Sequence, residues 1–165
     1  MKIEVKNLTT GYGDTKIIEN LNLTIPEGKV TALIGANGCG KSTLLKTICR
    51  IIRPMDGEVL LDGKSISSYG SRELAKKVAI LPQNPTAPGE ITVRELVMYG
   101  RAPHQSSLFA RSTKEDKEIV EWALKETELL PFADRSITQM SGGQRQRAWI
   151  AMAIAQDTDI LFLDE

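Results

Sequence analysis

Histidine is almost missing from this chain. His104 is the only one in 165 residues, which excludes any mechanism needing two imidazoles. Cysteine is scarce as well. Cys39 and Cys49 lack the paired Cys/His spacing of a zinc site and are expected to be reduced thiols. Excess charge of either sign is absent: 21 Lys and Arg balance 21 Asp and Glu, so no global basic field gathers nucleic acid or an anionic membrane. No apolar run approaches the roughly 18–20 residues of a membrane-spanning helix. The opening MKIEVKNLTT alternates without the apolar centre of a signal peptide. The expectation is a protein made and kept in the cytoplasm. No internal repeat or low-complexity tract is found. What is present, 41% hydrophobic and 25% charged residues, suits one globular domain with a sizeable core.

KIEVKNL (2–8) and KIIENLNLTI (16–25) alternate like half-buried strands. Pro26-Glu27-Gly28 signals a turn, and KVTALIG (29–35) reads as a buried strand running into a glycine-rich loop. From Ser42 the period becomes helical. Leu44, Leu45, Ile48, Ile51 and Ile52 share one face, and Pro54 closes the run. GEVLLDG and KVAILPQ read as two more strands, with a short helix at SRELAKK between them. NPTAPGE is loop. The pattern beyond it, to about residue 156, is mostly helical, with capping-box spacings at Thr92/Glu95 and Ser112/Glu115. Ile119, Val120, Ala123 and Leu124 form the apolar face of the second of these helices. DILFLDE (159–165) is a last strand ending on an acidic pair. Strands that bracket a helical stretch predict an α/β core carrying an inserted helical subdomain at about 84–140.

GANGCGKST (35–43) satisfies the G-x-x-x-x-G-K-[ST] pattern between a predicted strand and a predicted helix. Gly35, Gly38 and Gly40 let the backbone curl, so that the N–H groups of Asn37, Cys39 and their neighbours through Thr43 point at phosphate oxygens. The helix adds its positive end. Lys41 can reach the β- and γ-phosphates and the Ser42 hydroxyl can ligate Mg²⁺. Asp164, at the end of ILFLD, suits a carboxylate that holds the metal largely through water. Glu165 points elsewhere and can polarise an attacking water. A phosphate cradle alone leaves kinases, GTPases and motor ATPases open.

MSGGQRQR (140–147) narrows the choice. Ser141 and Gln144 have capping-box spacing, Gly142 and Gly143 leave the backbone uncovered, and Ala148, Ala151, Met152 and Ala155 form a stripe for burial. Such a start is either a well-capped helix or a second anion site. With the glycine-rich loop about a hundred residues earlier and LFLDE just after, the order resembles the ATP-binding cassette (ABC) ATPases, whose signature motif SGGQ resembles. The resemblance implies a P-loop NTPase core with an N-terminal antiparallel β-subdomain and a helical insert. The expected boundaries are 1–83 for the β-subdomain and P-loop part, 84–140 for the helical subdomain, and 141–165 for the signature helix and Walker B strand.

It also implies roles. Tyr12 in GYGD resembles the aromatic residue that stacks on adenine, and Gln83 in LPQNP resembles the glutamine that senses the γ-phosphate and Mg²⁺. Two copies would sandwich two ATP molecules head to tail, with Ser141 and Gly143 of one facing the γ-phosphate held by Lys41 of the other. Ala36, Cys39 and Met140 depart from the commonest residues of the pattern, and none removes a phosphate-binding group. Cys39, beside Lys41, is expected to react with alkylating reagents that block nucleotide binding, with ATP protecting it.

MYGRAPHQSSLF (98–109) and residues 141–165 are similar to the ATPase subunits of bacterial ferric-siderophore importers. The implied partners are integral membrane permease subunits and, indirectly, a periplasmic or lipid-anchored substrate-binding protein. The implied place is the cytoplasmic face of the membrane, held peripherally. Within that frame His104 is expected on an exposed loop, and not as a metal ligand. The alternative within the family is a soluble ABC ATPase acting as an assembly factor; a P-loop kinase or GTPase does not fit SGGQ. The family's γ-phosphate histidine lies on a further strand after the acidic pair, and His104 stands too early to be that residue. The chain is accordingly expected to be a C-terminally truncated piece, poorly stable and without sustained turnover by itself.

Overall fold

The computed structural model describes residues 1–87, 89–105 and 112–164. Glu165 and residues 106–111, which include the end of the stretch 98–109, lie outside the described residues. The chain divides into two compact units, Met1–Leu74 with Asp164, and Ala75–Leu163.

The first unit is built on an antiparallel sheet of order β2-β1-β3-β4, formed by β1 (Ile3–Tyr12), β2 (Thr15–Ile25), β3 (Asp56–Leu61) and β4 (Lys64–Ser65). β1 is central. It pairs Val5 with Leu23 on one side and with Val59 on the other. Ile3 and Val5 alternate inward as expected, and a register shift beyond Val5, with Asn7 at φ 48°, brings Leu8 and not Asn7 to the buried side. α1 (Lys41–Ile48) buries Leu44, Leu45 and Ile48 in this unit. α2 (Ser71–Ala75) closes it through Leu74.

Two expectations fail here. KVTALIG forms no strand: residues 29–36 join no sheet among the described residues, and Val30 and Ile34 are 103% and 92% exposed. β-branched residues favour a pleated, half-buried surface, and without a ladder partner that preference has nothing to act on. The helical run also stops short of Pro54. Arg50 takes a left-handed conformation (φ 58°), and the N–H groups of Arg50 and Ile51 turn back to the carbonyls of Thr47 and Lys46. This Schellman closure ends α1 at Ile48 and leaves Ile51 exposed. The Arg50 guanidinium then holds the next segment, donating to the carbonyls of Ile66 and Tyr69 and to Ser71 Oγ.

The second unit joins a parallel pair, β5 (Val78–Leu81) and β6 (Ile160–Leu163), to three helices. α3 (Val93–Tyr99) and α4 (Lys114–Glu126) pack on each other and on α5 (Gly142–Ala155). Their core is Val93, Leu96, Val97, Val120, Ala123 and Leu124 against the alanines 148, 151 and 155, whose small side chains admit both neighbours. Met152, expected in that stripe, is only partly buried. β6 is less buried than an enclosed strand: Phe162 faces inward while Leu161 and Leu163 are exposed. The cap of α3 is the expected Thr92/Glu95 box. The cap of α4 is Thr113/Asp116, one residue later than Ser112/Glu115, because Asp116 has a second partner in Arg101.

Candidate nucleotide-binding site

The loop before α1 carries its chemistry in the backbone. Gly38 and Gly40 have φ of 80° and 97°, values that side chains rarely adopt. Gly40 is the N-cap of α1 and brings no side-chain cap, and no acidic residue stands in the first turn. A helix start left uncapped by its own chain, with its dipole unopposed, accepts an anion. Lys41 folds back over the loop, its Nζ donating to the carbonyls of Gly35 and Ala36 at 2.8 and 2.9 Å and lying 3.7 Å from Cys39 Sγ. The ammonium is thereby held at the loop that a phosphate would enter.

Ser42 Oγ donates to Asp164 Oδ1 at 2.6 Å, across 122 residues of sequence. A hydroxyl and a carboxylate in contact are the hard oxygen donors that suit Mg²⁺, which keeps most of its coordination for water and phosphate. Among the described residues, no group of three or more His, Cys, Asp or Glu is placed to hold a metal ion.

Tyr12 ends β1 half-exposed, with its ring accessible. Asn37 and Cys39 are exposed on the loop, while Thr43 is buried in the first turn of α1. Gln83 is exposed two residues after β5. Ser141 caps α5 in a reciprocal box: Gln144 N–H donates to Ser141 Oγ at 3.3 Å and Ser141 N–H to Gln144 Oε1 at 3.0 Å. A Cβ added at Gly142 or Gly143 would meet nothing within 4 Å, so the backbone there is open. Thus Tyr12, residues 35–43 and Asp164 belong to the first unit, and Gln83 and residues 141–144 to the second. Glu165 is outside the described residues.

Some supporting residues escape sequence reasoning. Thr10 and Thr47 meet hydroxyl to hydroxyl at 2.9 Å in the core. Thr47 donates to the Thr43 carbonyl at 2.8 Å, so Thr10 supplies the proton of the pair, tying β1 to the helix behind the loop. Ile17 and Ile18 stand over Gly40, within 3.1 and 3.0 Å of where its Cβ would be. Nothing in the local pattern announces either contact, because both partners come from different elements.

An uncapped helix start behind a glycine loop, with a lysine folded onto it and a hydroxyl–carboxylate pair beside it, gives this α/β protein the groups that can receive a phosphate. Comparison with known proteins gives the family. The model described as "ABC transporter" matches residues 18–165. The chain is 55% identical over 163 residues to the iron(3+)-hydroxamate import ATP-binding protein FhuC of Bacillus subtilis, covering 99% of this chain and 60% of that protein. It is 52% identical to the ferric enterobactin transport ATP-binding protein FepC of Escherichia coli, with coverages of 99% and 60%. Among solved structures, a nucleotide-free ATP-binding cassette from an ABC transporter superposes with a TM-score of 0.85 at 25% identity, over 100% of this chain and 69% of that one. The chain belongs to the ABC transporter family. It spans about 60% of the length of the curated relatives it matches.

Proposed function

We propose that this chain is the ATP-binding subunit that powers ferric-siderophore import through a membrane ABC transporter. The observation that carries the nucleotide part is the 2.6 Å bond from Ser42 to Asp164 beside the uncapped start of α1. The transport part rests on the 52–55% identity to import subunits for hydroxamate and enterobactin iron chelates. No helix among the described residues is long and apolar enough to cross a membrane. This agrees with peripheral attachment at the cytoplasmic face through permease subunits, with a substrate-binding protein acting further off.

In this reading the adenine stacks on Tyr12, the loop amides of residues 35–43 hold the phosphates, and Lys41 exchanges its carbonyl partners for phosphate oxygens. Ser42 and Asp164 would hold Mg²⁺, which supplies charge neutralisation on the phosphates when bound. Gln83 senses the γ-phosphate and Glu165 orients and polarises the water. Ser141, Gly142, Gly143 and Gln144 of a second copy complete the nucleotide's surroundings, so ATP joins the copies.

Two substitutions in the full-length protein test this. Lys41→Ala weakens Mg-ATP binding by the loss of charge-assisted hydrogen bonds worth about 1.5–3 kcal/mol each. Glu165→Gln retains binding and accumulates the ATP-bound dimer, read by size-exclusion chromatography. Identical behaviour of the two variants contradicts the division of roles. Affinity purification that recovers no integral membrane protein contradicts the transport assignment.

A further inference from the structure

The stretch MYGRAPH lies about forty residues before SGGQ, yet it is fastened to the C-terminal end of α5 at three points. Gly100 sits so close to the last turn of α5 that an added Cβ would fall 2.2 Å from the Met152 carbonyl oxygen. Arg101 Nη1 donates to the Ala155 carbonyl at 2.9 Å. His104 Nε2 meets the Gln156 carbonyl at 2.8 Å, so this ring is partly buried and bonded, contrary to the exposed loop expected from the sequence. Gln156 passes the connection on, its Nε2 donating to the carbonyls of Ala75 at 2.6 Å and Val78 at 3.3 Å, at the entry of β5.

The centre of this arrangement is a buried ion pair. Arg101 and Asp116 are 2% and 3% exposed, with Nε to Oδ1 at 2.9 Å. Asp116 Oδ2 also accepts the Thr113 N–H at 2.9 Å, which starts α4. One guanidinium therefore joins the end of α3, the first turn of α4 and the last turn of α5. A buried pair is weak evidence for stability, since apolar residues of like volume often do as well; fixing one geometry is its better-attested use. Lysine cannot replace this fork, because a point ammonium lacks two rigidly opposed donors.

We propose that residues 100–104 clamp the C-terminal end of α5 and that Arg101 is a positioning residue for ATP turnover. The inference rests on the reading above, in which the N-terminal end of α5, residues 141–144, meets nucleotide. α5 has 14 residues and is about 21 Å long at about 1.5 Å per residue, so a tilt of about 3° about a loosened end moves the other by about 1 Å. A displacement of about 1 Å in a reacting constellation can cost about a hundredfold in rate.

The test is steady-state ATPase kinetics of the full-length protein in its transporter complex. Gly100→Ala pushes on the Met152 carbonyl while leaving the ion pair intact, and its φ of −57° suits alanine. Arg101→Lys keeps the charge for Asp116 and loses the tether. Arg101→Met with Asp116→Leu removes both charges together, so no unpaired ion remains if the single variant folds poorly. Each is expected to lower kcat at least about tenfold with KM for ATP within about twofold, and with cooperative thermal unfolding retained. Wild-type kcat in the folded double variant and in Gly100→Ala overturns the proposal, as does a parallel loss of ATP affinity. Lys41→Ala in the same assay separates the two readings: if that variant turns over ATP normally, the nucleotide assignment fails, whatever the clamp does.

Discussion

Gly40 is held at φ 97° with the Ile18 side chain 3.0 Å from where a Cβ would stand. Gly40→Ala therefore meets both a left-handed backbone and a steric neighbour. It is expected to destabilise the chain by about 1–2 kcal/mol, read as a lower denaturant midpoint at unchanged slope. The two thiols separate as sharply. Cys39 is exposed on the loop, whereas burial pushes the Cys49 thiol up to about 12. Alkylation at pH 7.5 is expected to label Cys39 and spare Cys49, with Mg-ATP slowing the reaction at Cys39 in the full-length protein. Peptide mapping checks both statements. Equal labelling of the two cysteines contradicts the burial of Cys49, and labelling indifferent to Mg-ATP contradicts the placing of phosphate at the loop.

Among elements, the helix starts offer the clearest ledger of what local sequence dictates. Thr92 with Glu95 and Ser141 with Gln144 form the boxes that their spacing predicts. At α4 two overlapping candidates, Ser112/Glu115 and Thr113/Asp116, both satisfy the spacing. A residue 15 positions away, Arg101, selects the second. Strands β1, β2, β3 and β5 were legible because alternation or flanking turns survive in the sequence, and the glycine loop because its spacing is tied to a backbone shape. The Arg101–Asp116 pair and the Thr10–Thr47 contact were not legible, since tertiary juxtaposition leaves no local period. Asp116 also carries a pH dependence. Burial works to raise its carboxyl, and the Thr113 N–H and Arg101 outweigh that and hold it below its ordinary value. An acid depressed in the folded state stabilises at pH above the unfolded value of about 3.9, and the contribution drains as pH falls through the lower folded value. Asp116→Asn is expected to cost about 3–5 kcal/mol at pH 7, by stranding the buried guanidinium, and less near pH 2. A cost equal at both pH values contradicts the assignment.

At the scale of the whole molecule, the unpaired segment 29–36 makes the sharpest demand. An apolar stretch such as this is ordinarily enclosed, yet Val30 and Ile34 face solvent and no described strand forms a ladder with the backbone there. Exchange of backbone amides in the 165-residue chain is therefore expected to be fast over residues 30–34 and slow at Val5 and Val59, which sit in the β1–β3 ladder. Substitution makes the same distinction energetically. Val30→Lys exchanges one solvated side chain for another and is expected to shift stability by no more than about 0.5 kcal/mol. Val59→Lys would bury an unpaired ammonium at a position 1% exposed, and is expected to abolish cooperative folding of the first unit. Slow exchange at residues 30–34, or a loss of several kcal/mol in Val30→Lys, would mean that this segment finds a ladder partner in solution. The same two measurements on a longer chain of the family, compared residue by residue, report whether added length is what covers it.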